Sequence, residues 1–383
     1  MKSNQKAMPT ADPICAGAAG KIRIRMDSTK IVPDAPEIIL DGSRFLRACL
    51  RKPVDRTPVW FLRQAGRYMQ EYRDVRKHHT LVEICKKPEL AAEVTITAAE
   101  KLGVDAAIIF ADLLLPLEPM GLDFEFQSGE GPVVHCPIRT AEDVRALRTD
   151  RAGDLGYVAL AIEKVAAHFR GRMGVIGFCG APYTLASYMI EGGSSKSFLT
   201  TKRFLYEQPK AAHRLFGLLA DTLGTYLAAQ VRAGASAVQI FDSWGGELSP
   251  QDYATWGVPY LQRIAAAVKK EGAPLILFAT GSSGMLEVLK GVGADCLGLD
   301  WRIEIDAARA RLGPDVAVQG NLDPCALFLP PEQLEARVRD ILRRAGQTGH
   351  VFNLGHGILP PTAPESAQLL VELVHRHSQR PNG

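Results

Sequence analysis

Short apolar runs recur along the chain, and each ends in a polar or glycine-rich cluster. The runs are continuous rather than alternating, which is typical of parallel strands buried on both faces. Helical patterns separate them, for example over 88–103, 207–234 and 331–346, with Pro near the start and Gly at the end. The runs are TPVWF (57–61), AAIIF (106–110), GVIGF (174–178), AVQIF (237–241), PLILF (274–278), CLGL (296–299), VAVQ (316–319) and HVFNL (350–354).

Eight strands that alternate with helices predict an α/β protein with a single (β/α)8 TIM barrel, because repeated right-handed crossovers close such a sheet. The gaps between the fifth, sixth and seventh runs are near the minimum for a crossover, so their helices should be short. A doubly wound open sheet is the alternative, but no GxGxxG motif follows the first run. Residues 1–35 lack periodicity and predict a flexible tail before a barrel domain over 36–383, with a translation start at Met26 as the alternative.

Composition narrows the functional classes. The 383 residues carry 45 basic and 42 acidic side chains, and a net charge of +3 is too small to favour nucleic-acid binding. A hydrophobic share of 46% with 23% charged residues excludes disorder of the whole chain. No apolar run approaches the roughly 18 residues that span a bilayer, and the first residues lack the apolar centre of a signal peptide. Seven scattered cysteines without a CxxC pair indicate reduced thiols in a cytoplasmic protein.

Polar, ionisable and glycine residues follow every apolar run. In a barrel of this kind the active site forms at the carboxyl ends of the strands, so these residues should meet at one mouth. Their convergence favours an active site over a passive surface. The residues are Arg63, Gln64, Asp112, Gly180, Pro182, Asp242, Ser243, Thr280, Gly281, Asp300, Trp301, Gly320, Asn321, Gly355 and His356.

Two arginines flank the segment RQAGR directly after the first run. Arg63 and Arg67 are four residues apart and face one cavity if the segment turns helically. The fixed fork of donors on a guanidinium suits a planar carboxylate or a phosphate. The alternative is a pair of surface salt bridges with Glu71 or Asp74.

Four further side chains are candidates with different strengths. Asp112 follows the second run, where a carboxylate in a low-dielectric cavity can hold positive charge or transfer a proton, the alternative being a helix cap or a partner for an arginine. Tyr188 lies in a helical pattern, where a tyrosine is more often part of the core. Ser243 lacks the GxSxG context of a nucleophile. His356 in NLGHG fits a base, a donor or an ordinary loop histidine equally well.

Taken together, the motifs resemble the uroporphyrinogen decarboxylase family from about Asp41 to His377. TPVWFLRQAGRYMQEYR and GFCGAPYTLASYMIEGG look like the two signatures of that family. DAAIIFADLLLPLEPMG, QIFDSWGGELSP, VQGNLDP and NLGHG resemble further blocks in the same order. The resemblance implies a single (β/α)8 barrel, which agrees with the strand count.

The resemblance also implies an activity and a site. The activity is removal of CO2 from the four acetate side chains of uroporphyrinogen III, giving coproporphyrinogen III in heme biosynthesis. Asp112 matches the catalytic aspartate near the pyrrole NH groups, and Phe241 matches an apolar residue near the macrocycle. The family uses no metal and no organic cofactor, is typically a homodimer, and has no nucleic-acid or membrane partner. The implied substrate contacts are Arg63, Gln64, Ala65, Gly66, Arg67, Asp112, Tyr188, Ser243 and His356.

The chain departs from the family at two places, and two other functions remain as alternatives. Gln70 stands where the family often has Pro, and the segment FATGSSG carries no charged residue where many members do. A zinc- or corrinoid-dependent methyltransferase of the same superfamily needs a His and two Cys at late strand ends. Here Cys296 begins its run and Cys325 lies beyond NLDP, so no such triad is expected. A non-catalytic tetrapyrrole-binding protein on the same fold is the second alternative.

Overall fold

A parallel sheet forms the centre of the molecule in the computed structural model, which describes residues 43–127 and 131–380. Its seven strands follow the order β1-β4-β5-β6-β7-β8-β9, and β2 and β3 form a separate antiparallel hairpin. The predicted tail over 1–35 lies outside the described residues. The strands are β1 Ala106–Ile108, β2 Phe124–Gln127, β3 Gly131–Val134, β4 Gly174–Gly180, β5 Ala237–Asp242, β6 Leu275–Ala279, β7 Cys296–Gly298, β8 Ala317–Gln319 and β9 His350–Val351.

Helices connect successive strands of the sheet. The three helical patterns singled out in the sequence are confirmed as α4, α9 and α14, and the helices after β6 and β7 are short, as predicted. Gly103 ends α4 with a φ of 68°, a left-handed conformation that glycine adopts without strain. The helices of the described residues are α1 Arg44–Cys49, α2 Gln70–Arg76, α3 Leu81–Lys86, α4 Pro88–Leu102, α5 Ala141–Ala146, α6 Gly156–Phe169, α7 Pro182–Glu191, α8 Leu199–Glu207, α9 Pro209–Arg232, α10 Pro250–Trp256, α11 Val258–Lys270, α12 Leu286–Lys290, α13 Ile305–Leu312, α14 Pro331–Ala345 and α15 Pro364–His377.

The sheet is curled, and a chain of buried polar groups crosses its interior. Gln319 of β8 donates a hydrogen bond of 3.0 Å to Gln239 of β5, although two strands separate them in the sheet. Trp60 donates to the side-chain oxygen of Gln319 at 2.9 Å. Contact across the interior is possible only because the strands wrap around it. The curled parallel sheet with its helices confirms the α/β class.

The first predicted strand is wrong as a regular strand. Val59 forms a single parallel bridge with Phe352, and its carbonyl accepts a hydrogen bond of 2.8 Å from the backbone of Asp105. The segment thus hydrogen-bonds beside both β9 and β1. The Val59 N–H donates to the Asp105 carboxylate at 2.8 Å instead of to a backbone carbonyl. A side chain therefore takes the place of a ladder bond, so seven of the eight predicted runs form regular strands.

Candidate active site

Arg63 lies at the carboxyl-end mouth of the curled sheet, and its guanidinium has no ion-pair partner among the described residues. Its backbone has a φ of 57°, a left-handed conformation that is costly for a residue with a side chain. The stem of Arg63 lies against Gly357, where an added Cβ would overlap the Arg63 Cδ. The side chain is exposed, and no ion pair to it occurs within residues 43–127 and 131–380. The turn therefore presents a free cation beside the NLGHG loop.

Asp112 follows β1 and has a perturbed carboxyl group. Its Oδ1 accepts the backbone N–H of Leu114 at 2.9 Å, while the side chain as a whole is half-buried. Burial raises the pKa of Asp112 to about 6, against the opposing effects of the Leu114 N–H and of the Arg63 guanidinium. At neutral pH the group is mostly an anion in a place that penalises anions, so it is suited to a cationic partner.

Three of the predicted site residues converge on Arg63. Burial raises the pKa of Tyr188, with a further rise from the Asp112 carboxylate and a smaller opposing effect of Arg63. Burial lowers the pKa of His356, and Arg63 lowers it further. The Arg63 guanidinium thus acts on Asp112 after β1, on Tyr188 of α7 and on His356 of the NLGHG loop. The mouth brings these four side chains together as the sequence predicts.

An aromatic pair forms one side of this mouth. The ring centroids of Tyr188 on α7 and Trp244 after β5 lie 6.0 Å apart, and Phe198 packs against Trp244 at 5.1 Å. The neighbours of Tyr188 along α7, Ser187 and Met189, are fully buried, whereas Tyr188 itself remains partly exposed. Tyr188 is therefore a mouth residue and not only a core residue. The sequence analysis missed Trp244, although an aromatic residue directly after a strand-end Ser was a usable signal.

Phenylalanines from three adjacent strands line an apolar surface near the strand ends. Phe241 contacts Phe178 at 5.4 Å and Phe278 at 6.2 Å between ring centroids, in edge-on geometries. In the sheet, Phe241 is paired with Gly180 on one side. The space that a side chain at Gly180 would need is filled by Leu185. The Phe241 ring is partly exposed. Such a surface is suited to the flat face of an apolar ring system.

Asp242 is a buried carboxylate that holds the turn after β5. Its oxygens accept hydrogen bonds from the hydroxyls of Thr184 at 2.7 Å and Tyr253 at 2.9 Å. Burial raises its pKa to about 6 in spite of these donors. Thr184 also accepts the backbone N–H of Trp244 at 3.3 Å. Asp242 therefore positions Trp244, a role that its place at a strand end did not reveal.

The remaining predicted residues are placed less centrally. Gln64 is buried, with 1% of its surface exposed, and its side-chain nitrogen has no hydrogen-bond partner. Ala65 and Gly66 are partly exposed within the same turn, which the Tyr68 hydroxyl braces by donating to the Gln64 carbonyl. Ser243 is partly exposed at the end of β5. The contact between these residues and a substrate stays a prediction.

Arg67 is exposed, and the surface salt bridges considered for it do not form. Glu71 pairs with Lys101 at 2.6 Å, and Asp74 pairs with Lys77 at 2.6 Å. Neither arginine of RQAGR has an acidic partner among the residues that the structure describes. Their guanidiniums are thus available to a ligand.

Metal ligands and membrane spans were also sought in the described ranges. Within them, no group of three or more His, Cys, Asp or Glu side chains is placed to hold a metal ion. Cys296 begins β7, at the end of the sheet opposite the mouth, and Cys325 is exposed in a short 3-10 helix over Pro324–Phe328. No helix among these residues is both long and apolar enough to cross a membrane.

Comparison with known proteins identifies the family. Residues 41–377 match the family model described as uroporphyrinogen decarboxylase. The uroporphyrinogen decarboxylase of Myxococcus xanthus is 56% identical over 88% of this chain and 97% of its own length, and that of Koribacter versatilis is 55% identical over the same shares. Among solved structures, a methyltransferase from Methanosarcina mazei superposes with a TM-score of 0.73 at 21% identity, over 89% of this chain and 99% of its own. That likeness shows a shared fold only. With a family model that spans most of its length and curated relatives above 50% identity, the chain belongs to the uroporphyrinogen decarboxylase family.

Proposed function

We propose that this protein removes CO2 from the four acetate side chains of uroporphyrinogen III and releases coproporphyrinogen III. The observation that carries the proposal is the Asp112 carboxyl, whose pKa burial raises to about 6 beside a free Arg63 guanidinium. The relatives that are named for this activity match 88% of the chain. The reaction class is that of a carboxy-lyase.

The substrate explains why the mouth carries free cations. Uroporphyrinogen bears a carboxylate on every one of its side chains, so binding requires fixed positive charge. Arg63 and Arg67 supply it without internal partners in the described residues. The apolar surface around Phe241 would lie against the macrocycle, and the Tyr188 and Trp244 rings would border it.

The chemistry needs an electron sink for the pair of electrons that CO2 leaves behind. A proton added to the pyrrole ring makes the ring an iminium-like acceptor, and the bond between the methylene and the carboxylate then breaks. CO2 leaves, the exocyclic methylene takes up a proton to become a methyl group, and the ring loses the added proton. Asp112 stabilises the cationic ring and accepts hydrogen bonds from the pyrrole NH groups. Such preorganised electrostatics contribute ~3–4 kcal/mol per well-placed group.

The source of the protons is a choice between Asp112, His356 and water. Arginine is a poor acid at neutral pH because its pKa is so high. With a pKa of about 6, Asp112 is protonated in about a tenth of molecules at pH 7 and can both carry a proton and hold a cation. Burial and Arg63 lower the pKa of His356, so the imidazole is mostly neutral.

We further propose that the protein needs no cofactor, that it forms a homodimer and that it is located in the cytoplasm. The six cysteines within the described residues are free thiols, which suits a reducing compartment. Large apolar side chains are exposed on the chain, including Leu199 and Phe328, and association would cover some of them. Light scattering at several concentrations tests the dimer.

The test of activity is direct. The purified protein is incubated anaerobically with uroporphyrinogen III, and the products are oxidised and separated by the number of carboxyl groups. We expect a series that ends at four carboxylates. Binding of the porphyrinogen without any decarboxylated product would instead establish the non-catalytic alternative. Arg343→Gln, a variant on the last turn of α14 far from the mouth, is the control for handling of a mutant.

A further inference from the structure

A third arginine stands at the same end of the sheet, two residues beyond Asp300. The Nη1 of Arg302 donates to Asp300 Oδ2 at 2.7 Å, and the Arg302 backbone N–H donates to Asp300 Oδ1 at 2.9 Å. Asp300 is buried and also accepts the backbone N–H of Gly281 at 2.6 Å. A buried carboxylate thus fixes one corner of the guanidinium.

The face of this guanidinium is fixed as well. The central carbon of the Arg302 guanidinium lies 4.4 Å from the centroid of the Trp301 ring, in a cation–π geometry. A Cβ added to Gly355 would come within 2.7 Å of the Trp301 backbone nitrogen, so the NLGHG loop packs directly on this turn. Arg302 is therefore held beside the loop that carries His356.

The other donors of Arg302 are uncommitted. Neither its Nε nor its Nη2 donates to an acceptor in the described part of the chain, and the side chain is 48% exposed. An arginine that only pairs with a neighbouring carboxylate can donate to it through Nε and Nη2 together. Arg311, for example, donates to Glu287 through Nε at 2.7 Å and through Nη2 at 2.6 Å. The corresponding edge of Arg302 faces solvent.

Arg302 acts on the same histidine as Arg63. Burial is the main cause of the lowered pKa of His356, and both guanidiniums lower it further. The Asp300 carboxylate opposes them but does not cancel them. Two cations from different strand ends thus act on His356, and one of them is already immobilised.

We propose that Arg302 is a further binding residue of the mouth, whose free edge takes a carboxylate of the porphyrinogen substrate. This inference rests on the proposed function, because it needs a substrate with several carboxylates. Its guanidinium is held by Asp300 and Trp301 before the ligand arrives, so little side-chain freedom is lost on binding. The sequence analysis named Asp300 and Trp301 as strand-end residues but passed over the arginine that follows them.

The experiment compares kcat and KM for uroporphyrinogen in Arg302→Gln, Arg302→Lys and the wild type. Loss of a charge-assisted hydrogen bond should raise KM about tenfold in Arg302→Gln, with kcat within about threefold of wild type. Arg302→Lys keeps the charge but not the fork and should show a smaller rise. Arg343→Gln removes one positive charge from the last turn of α14, which leads into the start of β9 at the other end of the sheet. This control should leave KM unchanged.

The outcomes separate the two claims. A KM for Arg302→Gln within twofold of wild type, or a loss confined to kcat, would overturn the binding role of Arg302. If a thermal melt shows that Arg302→Gln does not fold, Arg302→Lys decides, because a lysine still pairs with Asp300. An unchanged KM in the lysine variant would then overturn the proposal, and a KM raised severalfold would support it. A wild-type protein without turnover would instead refute the proposed function.

Discussion

Replacing Asp112 with Asn should remove activity and at the same time stabilise the fold. The carboxylate is penalised in the folded protein, since burial raises its pKa from 3.8 to about 6. That rise corresponds to about 3 kcal/mol of free energy at neutral pH, because one pKa unit is worth about 1.4 kcal/mol. Asn is nearly isosteric, carries no charge, and retains an oxygen for the Leu114 N–H.

The sign follows from the proton equilibrium. A carboxyl whose pKa is higher in the folded state favours the protonated form there, so its contribution to stability is lost as pH rises through about 4 to 6. Above pH 6 the Asn variant should therefore unfold at a temperature a few degrees higher than wild type. At about pH 4 the folded carboxyl is protonated and the unfolded one only partly ionised, so the difference should be small, and it should vanish at lower pH.

Asp112→Asn should lower activity although it raises stability. A neutral amide cannot balance the cationic pyrrole, so kcat should fall roughly 10²-fold or more. Asp112→Glu keeps the charge but displaces it, and should retain more activity than Asn. The assays are kcat and KM for both variants and thermal melts at pH 4 and pH 8. Wild-type turnover in the Asn variant, or an activity loss that follows a lower melting temperature, would make Asp112 structural and refute the mechanism.

Four further outcomes are expected. Because the cationic ring is stabilised by the ionised form of Asp112, kcat/KM should decline as pH falls through about 6. A profile that is flat between pH 5 and 8 contradicts this. Arg67→Lys keeps the charge but loses the fork, so KM should rise while the melting temperature holds, and an unchanged KM would remove Arg67 from the site. Gln70→Pro should leave the stability of the fold unchanged or raise it by about 0.4–1 kcal/mol. Gln70 is the first residue of α2, and Met69 already has the extended backbone that precedes proline. A lower midpoint in denaturant unfolding would show that the hydrogen bonds of Gln70 to Asp74 and Arg73 matter more. Exhaustive EDTA treatment should leave turnover intact, and loss of turnover that zinc restores would revive the methyltransferase alternative.

Much of the fold was predictable because local patterns report burial directly. Seven of the eight apolar runs form strands of the parallel sheet, since a strand covered on both faces has to be apolar throughout. The ends of α4 were predictable from single residues, because proline favours the first turn of a helix and glycine favours the position just after its end. The exception is the first run, where the Asp105 carboxylate takes the N–H of Val59. The carboxylate that replaces the backbone acceptor is 46 residues away in the sequence, so no local pattern predicts this hydrogen bond. The hairpin of β2 and β3 was missed for a different reason, since its strands are four residues long and form a separate antiparallel sheet outside the barrel pattern.

The sequence by itself determined which residues lie at the strand ends, and hence that Arg63, Asp112 and His356 share one mouth. Tyr188 lies in a helical pattern, and only the family resemblance grouped it with them. Only the tertiary structure decided what each of them does there. The pKa of Asp112 rises because burial depends on every element that surrounds the carboxyl, not on its neighbours in the chain. The freedom of Arg63 and Arg67 likewise depends on Lys101 and Lys77, which occupy the nearby carboxylates. Strand periodicity is a local property, whereas charge, desolvation and partnership are set by residues that meet only after folding.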